Sequence, residues 1–509
     1  MYKRLRITQL IFVILRAFAP SCQKKYFSKL TRVSIVVITL LFSISSQGAI
    51  VFGKSHSPYY LNTSLTIADS DTMFILAGTT IIIDSAVDII VNGTLLIQGT
   101  SDDPVNLLPR VDSVGWGRIY LNKAGANCSF NHVKIVDGTV LSNGTNLTYR
   151  NVDFINRQNL PQYFNITRAK RGRVDFQNCS IKGIGKGEGF LLSTMTNAII
   201  RNCSFDNIPD AIEFISVNDS KISNNLFVNI PDDAIDLNNC RSILIDSNMI
   251  FNAHDRGMEI GSETFGSSLN IIVYRNLVVA CKEGITFKEG STGKVMNNTL
   301  YQNETGLVCI EWVDGRGGSK VEIENTIISQ SKRNTIETDS QSLLSINYSL
   351  SDKLLMEGAH NLYANPRFKD PENRDFSLKE TSPCIDKGSP FSTIDGDGTI
   401  ADIGFGFYNQ DSTFAILPQK TDVQFINSSG SVPSVVTIIY HLPALSKVKI
   451  ELYNLKGKKV KTILSKMQIY GDYRIPFRLA KTEPIENGIY LCAITIGKER
   501  KSFKIAKVD

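Results

Sequence analysis

Apolar and polar side chains alternate within a short phrase that recurs along the middle of the chain. It reads Asp-Ala-Ile-Glu-Phe from Asp210, Asp-Ala-Ile-Asp-Leu from Asp233, Arg-Gly-Met-Glu-Ile from Arg256, Glu-Gly-Ile-Thr-Phe from Glu283 and Thr-Gly-Leu-Val-Cys from Thr305. Successive phrases start 23, 23, 27 and 22 residues apart. Alternation marks strands, and a period of this length marks one structural unit stacked on the next. Strands of about five residues, three to a unit of about 22, predict the coils of a right-handed parallel β-helix. An asparagine opening a short apolar strand keeps the same beat at Asn178, Asn202, Asn225, Asn248, Asn276, Asn298 and Asn325, with weaker members at Asn131, Asn151 and Asn347.

The pattern changes at both ends. Basic residues crowd the first 32 positions, an apolar run occupies 33–42, and small residues follow to Ala49. This order predicts a secretory targeting segment over 1–49. Apolar runs at 81–83, 89–91 and 94–97 predict strands that begin the coil and cap its open end over 50–115, since an uncovered strand edge invites aggregation. The β-helix and a closing segment then occupy 116–408, and the polar, Ser-rich stretch 409–432 reads as a linker. Short alternating runs from 433 to 509 predict a small Ig-like β-sandwich. The fold class is all-β.

Composition adds little to this and excludes some partners. The chain has 509 residues, 42% of them apolar and 20% charged, which fits a globular chain with more than one domain. The net charge of +6 comes mostly from the N-terminal segment and from residues after Lys447, so no nucleic-acid partner is expected. Nine cysteines and five histidines form no zinc-spaced cluster. Cys179 and Cys203 should point inward on adjacent coils, close enough for a disulfide, although small apolar filling of the core is the preferred reading.

Stacking turns residues about 23 apart in sequence into neighbours about 4.8 Å apart in space. If Ile212 and Phe214 point inward, Glu213, Asp236, Glu259 and Thr286 form an outward column. Asp210, Asp233, Arg256 and Glu283 form a second column at the strand entrances, with Asp232 beside it, and Ile215, Asn238, Gly261 and Lys288 form a third. Like charges this close repel, so the columns need a reason. They could hold a cation such as Ca2+. They could serve as an acid–base pair on a sugar linkage. In the plainer reading, Arg256, Lys288 and solvent balance them and each entrance Asp caps a turn.

Here the residues resemble the polygalacturonase-type pectinases, inverting glycosidases on this fold. An Asp on one coil (Asp210) precedes Asp232-Asp233 on the next, then Arg256-Gly-Met-Glu-Ile-Gly-Ser262, then Gly284-Ile-Thr-Phe-Lys288. The resemblance implies that Asp210, Asp232 and Asp233 share the general-acid and water-activating roles. It implies that Lys288 binds a substrate carboxylate. By their place in the stacked columns, Glu213, Asp236, Arg256 and Glu259 are the further candidates to line the substrate. Arg256 stands where the family has His, and Thr286 where it has Arg. Polysaccharide lyases of the fold use an Arg or Lys base beside calcium, a role Arg256 or Lys288 could take only by shedding a proton near pH 8–10. The C-terminal residues Thr437-Ile-Ile-Tyr-His-Leu-Pro443, Asn487-Gly-Ile-Tyr-Leu491 and Phe503-Lys-Ile-Ala-Lys-Val508 resemble the sorting domain of type IX secretion cargo in Bacteroidetes. That resemblance implies outer-membrane secretion machinery as a partner.

Two loops complete the candidates. Asp395, Asp397 and Asp402 are spaced like a calcium loop but lack the closing Glu, so a structural turn is expected. Trp312 lies in an extension between coils, placed either to stack on a sugar or to pack under its loop. Together these features point to a secreted or cell-surface β-helix protein that acts on or binds polysaccharide, with acidic polysaccharides among the candidates. The alternative is a non-catalytic surface or adhesion protein that uses the helix as a rigid spacer.

Overall fold

The computed structural model describes residues 48–111, 115–157, 165–353, 357–410, 424–427, 435–442, 446–468, 471–478, 488–496 and 499–507. The expected targeting segment falls outside them apart from its last two residues. The described chain is all-β, with two 3-10 turns, Lys54–His56 and Pro371–Asn373, as its helical pieces. A single 36-stranded parallel sheet winds into a right-handed β-helix of about 13 turns. Residues 49–109, expected as a cap, form coils in parallel register with those that follow.

Six strands position the site: β1 (Glu188–Thr196), β2 (Ile212–Ser223), β3 (Ile235–Asn238), β4 (Arg256–Ile260), β5 (Glu283–Lys288) and β6 (Thr305–Ile310). Their register pairs Phe190, Ile212, Ile235, Met258, Ile285 and Leu307 in one inward column, all fully buried. Alternation then forces Leu191, Glu213, Asp236, Glu259, Thr286 and Val308 outward as the neighbouring column. Nearer the start of the helix the interior is aromatic. Tyr149 stacks on Phe176 with ring centroids 4.1 Å apart, and Phe205 stacks on Phe227 at 4.9 Å.

An asparagine ladder runs up the interior, displaced at its ends from the expected one. Asn248 Oδ1 accepts from the Asn225 backbone N–H at 3.0 Å, and Asn276 Oδ1 accepts from the Asn248 N–H at 2.8 Å. Asn298 Oδ1 accepts from the Asn276 N–H at 2.8 Å. Above and below, the ladder positions belong to Cys203 and Thr326. Asn178, Asn202 and Asn325 stand one residue earlier, each with φ of 50–55°, in the left-handed turn that Asn adopts at low cost. The cysteines of the described residues are free and buried, so Cys179 and Cys203 fill the core. Asn248→Ala removes a buried acceptor and a donor at once, and should lower stability by about 2–3 kcal/mol. A chemical-denaturation midpoint equal to wild type would contradict the ladder's role.

The closing segment does more than end the helix. Phe368, Phe376, Leu378, Cys384, Ile403 and Phe405 pack along the outer flank of the coils, against Leu226, Met249, Leu277, Tyr301, Ile327 and Leu350. Asp395, Asp397 and Asp402 spend their oxygens within this segment and on the coil it covers. Asp395 accepts from the Asp402 N–H at 2.7 Å and pairs with Arg275 at 3.3 Å. Asp402 accepts from the N–H groups of Asp386 and Tyr408. This is the structural turn that the spacing suggested.

Beyond it, two antiparallel sheets share one apolar core that includes Ile438, Tyr440, Val448, Ile450, Leu452, Cys492 and Ile494. One strand of this unit, Gln424–Asn427, pairs with Val435–Leu442 and lies inside the stretch read as linker. Its Phe425-Ile426 pair is too short an apolar run to stand out among polar neighbours.

Candidate functional site

Asp210, Glu213, Asp232, Asp233, Asp236 and Glu259 converge on the outer face of β2–β4. The entrance residues come together because each strand repeats the turn before it. The Ala211 N–H donates to the Asp233 carbonyl at 3.1 Å, and the Ala234 N–H to the Arg256 carbonyl at 3.0 Å. Asp210 holds a left-handed φ of 37°, which Asp tolerates better than most residues. One oxygen from each of Asp210, Asp232 and Asp233 lies within 4.8 Å of the others. This trio could hold a cation such as Ca2+. As a carboxylate pair, its separation is closer to the ~5–5.5 Å of retaining glycosidases than to the ~6.5–9.5 Å of inverting ones.

Burial divides the cluster. Asp232 is exposed, Asp210, Glu213 and Asp236 are half-buried, and Asp233 and Glu259 are each 6% exposed. The solvent-facing column expected at Asp233 and Glu259 is therefore covered, and the cover is ionic. Arg256 Nη1 bonds a Glu259 oxygen, and lies 3.0 Å from Asp255 and 3.7 Å from Asp233. Arg256 Nε reaches Glu283 at 3.1 Å, and its backbone N–H donates to Asp233 at 2.8 Å. Lys288 Nζ sits between Glu259 at 2.5 Å and Glu263 at 2.8 Å, and its residue is 3% exposed. Trp312 lies over both cations, 5.9 Å from Arg256 Cζ and 5.6 Å from Lys288 Nζ, with half its own surface in solvent.

Two expectations are corrected here. Lys288 is occupied by two carboxylates and is not free to receive a third from a substrate. Neither Arg256 nor Lys288 suits the base of a lyase. Burial lowers the Arg256 pKa, but Glu259, Asp233, Asp255 and Glu283 outweigh it and raise it above the usual range. Lys288 is raised in the same way, burial being outweighed by Glu259 and Glu263.

The remaining carboxyl groups are shifted toward their protonated form. Burial, then Asp232, Glu213 and Glu188, push Asp210 up to about 7. Burial and Glu188 push Glu213 up to about 7 against the pull of Arg168. Asp233 is raised well above the usual carboxylate range by burial and Glu259, against Arg256. Asp236 is raised likewise by burial, Glu259 and Glu213. Its Oδ2 accepts from Asn238 at 2.7 Å, while its buried Oδ1 has no partner among the described residues. Carboxyl groups that titrate near neutrality beside an exposed carboxylate can give and take a proton at one place.

Glu188 and Arg168 were missed in the sequence. The signal was present: Glu188-Gly-Phe-Leu-Leu192 is the same phrase one step earlier, with Leu191 in the outward column where later coils carry an acid.

The fold and this face describe a right-handed β-helix protein with an acidic site on its flank. A family model described as a right-handed beta helix region matches residues 164–315, the span that carries every one of these side chains. None of the curated proteins matches the chain. Among solved structures it is similar to tailspike protein 3 of bacteriophage CBA120, at 12% identity and a TM-score of 0.35, over 62% of this chain and 53% of that one. The chain thus spans about half the length of that tailspike. It is also similar to the Dettilon tailspike protein, at 11% identity and a TM-score of 0.30, over 84% and 93% of the two chains. A third is the A-module of a mannuronan C-5 epimerase from Azotobacter vinelandii, at 12% identity and a TM-score of 0.24, over 57% and 84%. At these values the likeness is one of coiled architecture.

Proposed function

We propose that the β2–β4 face is a polysaccharide site, and that Asp210 with Asp232 or Asp233 performs acid–base chemistry on a glycosidic bond. The observation that carries this reading is the contrast within one trio. Asp210 is half-buried and held up to about 7, while Asp232, in reach of it, faces solvent. Asp210 or Asp233 is suited to deliver a proton to a leaving oxygen, and the solvent-facing Asp232 to stabilise or activate the attacking side. Export to the cell surface or beyond is part of the proposal. The basic-apolar-small order of the N-terminal segment and the C-terminal motifs support it.

A second reading, the rigid spacer, is favoured by one observation. Arg256 and Lys288 pair with Asp233, Glu259, Asp255, Glu263 and Glu283, as a purely structural column would require. A screen of neutral and acidic glycans, with and without Ca2+, separates the two readings when reducing ends and unsaturated products are read separately. The expected result is new reducing ends without unsaturated products, with turnover falling as pH rises past about 7, where Asp210 loses its proton. Asp210→Asn should cut turnover about a hundredfold or more and leave the melting temperature level or higher. Full turnover in that variant, or no product from any glycan, would remove the catalytic reading. A rise in melting temperature with Ca2+ that disappears in Asp232→Asn would identify the trio as a cation site.

A further inference from the structure

The outward column does not begin with Glu213. Traced toward the N-terminus, its register runs Glu213, Leu191, Arg168, Leu141, Tyr120. Two strand spacings before the first acid, the face turns basic. A groove of about 340 Å3 opens there, lined by Tyr120, Asn122, Leu141, Arg168, Lys170 and Arg171. Its three cations are exposed, and none forms an ion pair among the described residues. This distinguishes them from Arg256 and Lys288, which are consumed by carboxylates. Arg118 donates to the Tyr120 hydroxyl at 3.0 Å and fixes the ring at the edge of the groove. Lys170 stands in the row of Ser193 and Ile215, two residues along the same strand from Arg168, so the two cations lie side by side across the face. The groove and the acid cluster are thus consecutive stretches of one face, about 10 Å apart along the helix.

We infer that this groove is an anion subsite of the same face, and that the polysaccharide it serves is an acidic glycan. A carboxylate or sulfate of one sugar would dock on Arg168, Lys170 and Arg171 while a neutral neighbour lies over Asp210 and Glu213. The inference rests on the glycan reading of the face. Exposed guanidinium and ammonium groups beside a hydroxyl-bearing aromatic suit such an anion, and Arg binds a carboxylate in two-pronged fashion. A nucleic acid fits less well. It carries a phosphate on every unit and would lay its next phosphates on the acid row, whereas a glycan can place an uncharged sugar there.

The test is binding and turnover by the full chain with hyaluronan and a sulfated galactan as acidic probes, unsubstituted galactan as the neutral one, and single-stranded DNA as competitor. At least one acidic probe should bind about tenfold or more tightly than unsubstituted galactan, and added salt should weaken it. Comparing hyaluronan with the sulfated galactan identifies carboxylate or sulfate as the preferred anion. The double variant Arg168→Gln/Lys170→Gln removes exposed side chains that form no ion pair among the described residues, and should lose that advantage while its melting temperature holds at pH 5, where Glu213 is protonated and the pull of Arg168 on it is absent. The exchange Arg168→Lys/Lys170→Arg should keep it. Unsubstituted galactan bound as tightly as the acidic probes, an unaffected double variant, or DNA displacing every glycan would overturn the anion subsite alone. If no glycan of any kind binds or is cleaved, the glycan reading of the face fails, and the subsite fails with it.

Discussion

Replacing Arg256 with methionine should cost about 3–5 kcal/mol of stability at pH 8, the penalty for leaving buried carboxylates without their counter-charge. Methionine retains much of the apolar stem, so packing changes little. What disappears is the one group that bonds or neighbours Glu259, Asp255, Asp233 and Glu283 together. Lys288 still pairs with Glu259 and Lys282 with Asp255, which leaves Asp233 and Glu283 without a cation among the described residues. The deficit should shrink markedly at pH 5, because Asp233, whose carboxyl is already raised by burial and Glu259, takes up a proton at little cost. Chemical denaturation of wild type and Arg256→Met at the two pH values measures this directly. An equal loss at both would mean that Arg256 acts through packing rather than charge.

The unmodified protein should itself be more stable at pH 5 than at pH 8. Asp210 and Glu213 hold folded-state pKa values of about 7, above the values near 4 of an unfolded chain. Asp233 and Asp236 are raised in the same direction. A carboxyl raised on folding binds more protons in the folded state, so stability falls as pH climbs between the two pKa values. The contribution is complete below about pH 4 and is lost as pH passes about 7. Across the cluster this amounts to a few kcal/mol, roughly 1.4 for each tenfold gain in proton affinity on folding, less what solvent screens at the half-buried members. Glu263 and Asp397, lowered on folding, act only at the acid end of the range, while His132, lowered by burial, adds a single opposing slope below its ordinary value that the four raised carboxyls outnumber. Melting temperatures from pH 5 to 8 should decline, and Asp210→Asn/Glu213→Gln should flatten the slope. A flat or rising wild-type curve would show that the cluster does not carry these protons.

The acidic column was legible in the sequence for a simple reason. Strand alternation fixes which side chains leave the core, and the 22–27-residue step fixes which of them meet, so Glu213, Asp236 and Glu259 could be stacked without coordinates. What could not be read is what covers them. Arg256 looked like a departure from a histidine position; its role depends on Asp255 beside it and on Glu283 a coil later, reached by a side chain whose direction no periodicity sets. The beat of asparagines before short strands was legible, but not that Asn178, Asn202 and Asn325 stand one residue before the inner ladder, because adjacent positions there both accept Asn, one for its hydrogen bonds and one for its turn. The basic groove was hidden by the loss of a clear phrase before residue 188. The fate of the closing segment rests on contacts such as Arg275 to Asp395, separated by 120 residues.

That closing segment alters how the molecule can come apart. In a stack where each coil touches only its neighbours, melting travels inward from an end, one coil at a time. Here Arg374 lies 4.5 Å over the Phe251 ring, Phe368 and Phe376 meet Tyr301, and the Gly404 N–H donates to the Asn325 carbonyl at 2.8 Å. Coils that would otherwise open in succession share one buckle, and none of them can leave before it lifts. The coils bearing Leu226 and Met249 fall within its reach, and the acid cluster sits on another strand row of those same coils. Fraying is therefore confined to the far end of the helix. The carboxylates, whose protons depend on separations of a few ångströms, stand on the part of the solenoid that opens as one cooperative unit.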